Sequence, residues 1–209
     1  MVNSEREVSS HLESSCQALA FWLGYQEERS SRHAIREIAI VTELLALLDA
    51  KLARKQFKVH CEMPWSDIIP DKHHDCSISM RRTDITIAMD KHIHFALEVK
   101  KIEGRFTQTP SAGWVKDLKK LCELKKLRAD LAIRLIIVSS QQLPSEWLSQ
   151  TGRAGRQVFE TDSVKYRLRR ILKAHPRLPT IDDKNLNLVL KKGPSVVIIE
   201  PLGVLGKIL

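Results

Sequence analysis

Three residues near the end of a short apolar stretch have the chemical types needed for metal-assisted hydrolysis. Residues 81–101 read as two β-strands around a tight turn, rich in Ile, Thr, Leu and Val. The far end of this hairpin holds Asp84, Glu98 and Lys100. Carboxylate oxygens suit Mg²⁺ or Mn²⁺, and a neighbouring ammonium group can hold a water or an anionic oxygen. These residue types therefore predict metal-assisted hydrolysis of a phosphodiester.

The strand register determines whether these side chains meet. A three-residue turn at residues 90–92 pairs Ile85 with Leu97 and makes one face of the hairpin wholly apolar. Asp84 then faces Glu98 on the other face, and Lys100 follows on that face because side chains alternate along a strand. A two-residue turn would set Asp84 opposite Leu97, so we expect the longer turn. Opposed Cβ atoms lie about 4.5–5.5 Å apart, and two like charges at that distance are tolerated if a cation lies between them.

This pattern resembles the active-site signature of the PD-(D/E)xK nuclease superfamily, which has the restriction-endonuclease-like fold. The resemblance covers roughly residues 32–140: a long helix, the hairpin, the helix WVKDLKKLCELKK and the apolar strand LIIVSS. It implies that Asp84 and Glu98 bind Mg²⁺ or Mn²⁺, with the Val99 carbonyl as an extra ligand. It also implies that Lys100 positions or activates the attacking water.

Two further features bear on this resemblance. Thr83 stands where the family motif has proline, a departure that leaves the reaction class unchanged. The family often adds an acid from the helix before the sheet, which here is the apolar segment 34–56. Glu43 and Glu37 both lie among apolar neighbours on that helix. We expect Glu43 to be the added catalytic acid, with Glu37 as the alternative.

The charge balance points to an anionic partner. Lys and Arg number 34 against 25 acidic residues, a net charge of +9. A basic chain attracts polyanions, and we expect nucleic acid, most simply DNA, bound through its phosphates. The basic residues expected to contact it lie in TGRAGR, in the segment after it and on the helix after the hairpin. They are Arg153, Arg156, Arg167, Arg169, Arg170, Lys116 and Lys120.

The pattern of elements predicts one α/β domain over residues 1–209, with a core at about 32–140 and a C-terminal extension at about 141–209. We expect a restriction-endonuclease-like mixed sheet flanked by helices, with an N-terminal helix and a C-terminal hairpin added. The helix after the first hairpin should be capped by Thr109, with Pro110 at its first position. Residues 162–175 read as a basic amphipathic helix, and the last hairpin should turn near Gly193.

The remaining residues bear on a zinc site, on disulfides and on the cellular compartment. Cys61, His73, His74 and Cys76 have zinc-ligand types, but their spacing does not suit a zinc site. The four cysteines form no CxxC pair, which favours reduced thiols. No stretch is long and apolar enough for a membrane span, and the N-terminus lacks a secretory core, so a cytoplasmic protein is expected.

Three kinds of function remain open from the residues. The first is a divalent-metal-dependent nuclease, for which we expect a homodimer, since cutting two strands needs two sites. The second is a nucleic-acid-binding or scaffold protein that keeps the fold without cleaving. An interaction module that binds an acidic protein through the basic surface is a third, related possibility.

Overall fold

Seven strands form one mixed sheet with helices on both faces. The computed structural model describes residues 2–29, 35–69, 80–103, 106–107, 109, 112–149, 158–173, 180–181, 188–189 and 194–204. The helices are α1 (Val2–Arg29), α2 (Glu37–Leu52), α3 (Trp65–Ile68), α4 (Gly113–Leu127) and α5 (Ser145–Leu148). The strands are β1 (Phe57–Pro64), β2 (Arg82–Met89), β3 (His92–Ile102), β4 (Ala132–Ser139), β5 (Val158–Thr161), β6 (Val164–Lys173), β7 (Thr180–Ile181), β8 (Leu188–Val189) and β9 (Ser195–Val204). The expected mixed sheet flanked by helices is confirmed.

The strand order in the large sheet is β1-β2-β3-β4-β9-β6-β5. The first three strands form an antiparallel meander. β4 lies parallel to β3, which requires a crossover connection, and α4 is part of that connection. Because helices cover both faces of the sheet, successive side chains of the interior strand β3 are buried, as the run from Phe95 to Val99 shows.

Each face of the sheet has its own apolar core. α1 and α2 cover one face, where Ile85, Ile87, Phe95 and Leu97 are all fully buried. α4 covers the other face, together with a cluster of aromatic rings that includes Trp114. The hairpin face predicted to be apolar is therefore the face that α1 and α2 cover. The α4 face is where the polar side chains of the hairpin lie.

The N-terminal helix is the 28-residue α1, and it packs one side against the sheet. Val8, Leu12, Leu19 and Leu23 are buried on that side, at the helical spacing read from the sequence. Among the described residues, no helix is both long and apolar enough to cross a membrane.

The chain beyond residue 140 differs from expectation in two places. Residues 164–173 form strand β6, not a basic helix, because Val164, Tyr166 and Leu168 are buried at every second position. The expected last hairpin is also wrong: β8 pairs with β7 in a separate two-stranded sheet. β9 instead pairs with β4 and β6 inside the large sheet.

Candidate active site

A bulge in the β2–β3 hairpin resolves the question of register. Ile85 pairs with Leu97 and Ile87 with Phe95, as predicted for the end near the acids. The turn, however, has two residues: Asp90 and Lys91 take the left-handed backbone conformation, with φ of 49° and 69°. The register shifts by one residue between Ile87 and Ala88. The predicted three-residue turn was therefore wrong. The bulge places one unpaired residue in β3, so the pairs Ile87–Phe95 and Ile85–Leu97 still have the predicted register.

Asp84 ends the ladder between β2 and β3. The paired residues begin at Ile85, and the backbone N–H of Val99 donates a 2.7 Å hydrogen bond to Oδ2 of Asp84. The carboxylate thus replaces a main-chain acceptor at the end of the strand pair. Burial raises the pKa of Asp84, although this hydrogen bond and the charge of Lys120 act in the opposite direction.

Glu98 is the most deeply buried acid of this cluster. It is 4% exposed, and its carboxylate points to the α4 face beside Ala96. Burial and then the nearby charge of Asp84 raise the pKa of Glu98 to about 8. Nζ of Lys120 lies 2.7 Å from Oε1 of Glu98, and this contact and the charge of Lys120 both act against the rise in the pKa of Glu98. Oε1 is therefore a buried oxygen with an ammonium group beside it.

Lys100 follows on the same side of β3 and touches two helices. Its Nζ lies 3.2 Å from Oε1 of Glu37 on α2 and 3.8 Å from Oδ2 of Asp117 on α4. Burial opposes the charged form of Lys100, but the carboxylates of Asp117 and Glu37 outweigh it and raise its pKa. The group is therefore an ammonium at neutral pH. The other oxygen of Glu37 accepts a 2.9 Å hydrogen bond from the backbone N–H of Lys101.

Helix α4 contributes two charged groups that the sequence analysis did not place in the site. Asp117 and Lys120 are three positions apart, so both lie on the side that faces β3. Each lies beside a residue of opposite charge on β3: Lys120 beside Glu98, and Asp117 beside Lys100. A signal was present: both positions fall within the stripe of buried residues that runs from Trp114 to Leu124.

The first turn of α4 also touches the lysine of β3. The helix begins at Gly113, after Ala112, and Pro110, the expected first position, lies outside the described residues. A Cβ atom built on Gly113 would lie 2.9 Å from Cε of Lys100, so this position has no room for a side chain unless the lysine moves. Nε1 of Trp114 donates a 2.7 Å hydrogen bond to the carbonyl of Thr107, which holds the preceding loop against the helix.

The two glutamates considered on α2 have different surroundings. The structure brings Glu37, at the start of α2, to Lys100, whereas no contact joins Glu43 to these side chains among the described residues. Six helical positions correspond to a rotation of about 600°, so the two side chains point in directions about 120° apart. Glu37, the alternative read from the sequence, is thus the α2 acid that contacts Lys100, and the catalytic role expected of Glu43 stays a prediction.

A divalent cation fits this cluster only in part. Asp84 and Glu98 supply hard oxygen ligands, the kind that Mg²⁺ prefers. Yet among the described residues no three His, Cys, Asp or Glu side chains are grouped closely enough to hold a metal ion. Protein ligands would thus be two carboxylates and a backbone carbonyl such as that of Val99, with water completing the shell. Mg²⁺ commonly keeps several waters in this way.

The predicted nucleic-acid contacts are dispersed over the molecule. Arg153 and Arg156 lie outside the described residues. Arg167 and Arg169 lie within 3.4 Å and 3.5 Å of Glu200, and Arg170 within 2.9 Å of Glu13 on α1. These contacts place the arginines on the α1 side of the sheet, away from the α4 face that carries Glu98.

The two α4 lysines of that prediction have different environments. Lys116 is exposed on α4, as a phosphate contact must be. The ammonium of Lys120 lies 2.7 Å from Glu98 and its side chain is 28% exposed, so the phosphate contact expected of it stays a prediction. Of the residues considered for zinc, Cys61 is exposed on β1, and His73, His74 and Cys76 lie outside the described residues.

The fold and these contacts define a mixed α/β domain that carries a half-buried cluster of carboxylates and lysines at one end of a central hairpin. No family model matches the chain, and neither a curated protein nor a solved structure does.

Proposed function

We propose that the chain is a divalent-metal-dependent nuclease of the PD-(D/E)xK type that hydrolyses phosphodiester bonds, most simply in DNA. One observation carries the proposal: Asp84, Glu98 and Lys100 converge at one end of the β2–β3 hairpin, on one side of the sheet. Two carboxylates kept this close and this buried raise each other's energy, and a bound cation relieves that repulsion.

The arrangement of elements supports the same proposal. α2, the hairpin, α4 and the apolar strand β4 occur in the order in which the resemblance names them, and all four contribute to or flank the cluster. The restriction-endonuclease-like fold is therefore part of the proposal. Glu37 takes the place of the added helix acid.

In this mechanism Asp84 and Glu98 would hold Mg²⁺ or Mn²⁺. The bound ion supplies Lewis acidity, which neutralises charge on the phosphate and lowers the pKa of a bound water. Lys100 would orient the attacking water and stabilise the charge that develops on the phosphate oxygens. Its raised pKa suits this ammonium role and not that of a general base. Glu37 would position Lys100 through their 3.2 Å contact.

The contact between Lys120 and Glu98 favours a second candidate, a nucleic-acid-binding protein of the same fold that does not cleave. Lys120 supplies an internal positive charge beside Asp84 and Glu98, which we call the acid pair. A protein that binds no metal would need such a charge to offset the repulsion between the two acids. Under this alternative the exposed Lys116 and its neighbours bind phosphates, and the buried charges serve only to fix α4 against β3. Such a protein would bind DNA equally well in EDTA and in Mg²⁺.

The test is a cleavage assay on plasmid, linear duplex, single-stranded DNA and RNA, each in Mg²⁺, Mn²⁺ and EDTA. We expect cleavage that depends on metal and is abolished by Asp84→Ala and Glu98→Ala. Lys100→Ala should abolish or severely reduce cleavage but leave metal binding in place, because an ammonium group cannot ligate a cation.

Lys101 is the matched control for Lys100. It is the next residue on β3, and its ammonium pairs with Glu103 at 2.8 Å, away from the acid pair. Lys101→Ala removes the same charge and should retain most of the cleavage. Absence of cleavage on every substrate, with no stabilisation of the wild-type fold by either metal, would reject the enzyme in favour of the binding protein.

A further inference from the structure

Lys120 reaches the acid pair from outside the hairpin. It lies on α4, three positions after Asp117, and its Nζ is 2.7 Å from Oε1 of Glu98. The Glu98 side chain is 5% exposed and that of Lys120 is 28% exposed. The ammonium group is thus the cation at the deepest carboxylate of the cluster, while its own stem remains connected to solvent.

A metal ion and this ammonium group cannot occupy the same place. A cation bound by Glu98 needs an oxygen of that carboxylate, and Oε1 already has a positive charge beside it. Two positive charges around one buried carboxylate repel each other strongly, since the low-dielectric surroundings screen them poorly. Lysine has a flexible four-carbon stem, so its ammonium can turn away without any change in the backbone of α4.

We infer that Lys120 is an internal counter-ion that competes with the divalent cation for the acid pair, and that it must leave Glu98 when the cation binds. Lys120 therefore sets the metal concentration at which the site fills. This inference rests on the proposed function only in taking Asp84 and Glu98 as the cation site. It assigns to Lys120 a role in metal binding and no contact with the substrate.

The experiment is titration of Mn²⁺ at pH 8.5, where most Glu98 side chains are ionised, into wild-type protein, Lys120→Met and Lys119→Met. Calorimetry and the paramagnetic signal of free Mn²⁺ measure the binding. Lys119 is the adjacent residue of the same helix and pairs with Asp162, away from the acid pair, so it matches Lys120 in charge and location. We expect Lys120→Met to bind Mn²⁺ at least about tenfold more tightly than wild type, because a competing positive charge has gone. Lys119→Met should bind like wild type, and Lys120→Arg, which keeps the charge, should too.

A second measurement needs no substitution and so does not depend on the variants folding. Acetylation of surface amines in wild-type protein, with and without Mn²⁺, reports how accessible each lysine is. Mn²⁺ should raise the modification rate of Lys120 several-fold, because its ammonium leaves the carboxylate, and should leave the rate at Lys119 unchanged.

The outcomes separate this inference from the proposed function. Equal Mn²⁺ affinity in wild type and Lys120→Met, with no change in Lys120 acetylation, overturns the inference even if the wild type cleaves DNA. Tighter binding by Lys120→Met without cleavage of any nucleic acid supports the inference and rejects the nuclease. If neither protein binds Mn²⁺, the competition does not exist, and the metal-dependent mechanism falls with it.

Discussion

Replacing Glu98 with glutamine should stabilise the metal-free protein by an amount that grows with pH. Glutamine has nearly the shape of the protonated acid and cannot ionise. In the wild type, burial and Asp84 raise the pKa of Glu98 to about 8, against an ordinary value of 4.5. Between these two values the folded protein holds a proton that the unfolded chain has lost. The stability of the wild type therefore falls as pH rises through this window.

The expected size of the effect follows from that window. Each pH unit between the two pKa values costs about 1.4 kcal/mol of stability. At pH 5 the difference between Glu98→Gln and wild type should be under about 1 kcal/mol, at pH 7 about 3 kcal/mol, and above pH 8 as much as ~5 kcal/mol. These values assume that Lys120 stays beside Glu98, and any movement of the ammonium to solvent would enlarge them.

Urea unfolding at pH 5, 7 and 8.5 in EDTA measures this difference directly. Glu103→Gln is the control, since Glu103 is exposed and should give a difference that does not change with pH. Adding Mg²⁺ at pH 8.5 should reduce the difference between Glu98→Gln and wild type, because only the wild type keeps the carboxylate that the cation needs. A difference that is flat across the three pH values would refute the reasoning, since Glu98 would then ionise as freely when folded as when unfolded.

Three further results are expected. Gly113→Ala should lower the cleavage rate about a hundredfold with unchanged Mn²⁺ affinity. The new Cβ would lie 2.9 Å from Cε of Lys100 and would therefore displace the lysine. Single-turnover kinetics would measure the cleavage rate, and an unchanged rate would contradict the prediction. Glu200→Gln should lower the free energy of unfolding in urea by about 3 kcal/mol. Arg134 is only 4% exposed and would lose the carboxylate that lies 3.3 Å from it. A decrease below about 1 kcal/mol would show that this ion pair contributes little to stability. Asp84→Asn should lose most of the thermal stabilisation that Mn²⁺ gives the wild type, and an equal shift in melting temperature would remove Asp84 from the cation site.

Alternation along the hairpin was enough to predict the faces of the residues between the bulge and the acids, but not of those between the bulge and the turn. Ile85 and Leu97 are buried under α1 and α2, and Glu98 points to the other face, because one face had to be apolar throughout. The turn could not be predicted in the same way. A bulge allows a two-residue turn to be followed by the register that a three-residue turn would give. The pairing of apolar residues alone does not distinguish these two turns.

The contributions of the helices were harder to predict for a different reason. Whether Glu37 or Glu43 reaches Lys100 depends on how α2 is placed against the sheet, and both residues have apolar neighbours in the sequence. Lys120 is one of several lysines on α4, and only the packing of that helix shows that it points inward. β6 was mistaken for a helix because its basic residues hid a two-residue period of buried side chains.

The position of β9 has a consequence for how the protein is made. It lies between β4 and β6 in the sheet, although it follows both in the chain. While the ribosome is still adding residues 140–194, β4 therefore has one unpaired edge, and Leu135, Ile136 and Ile137 are ready to pair with another chain. The elements that carry the candidate site, residues 37–127, have by then all been synthesised. The nascent chain thus passes through a stage in which the charged cluster can assemble but the sheet remains open to aggregation.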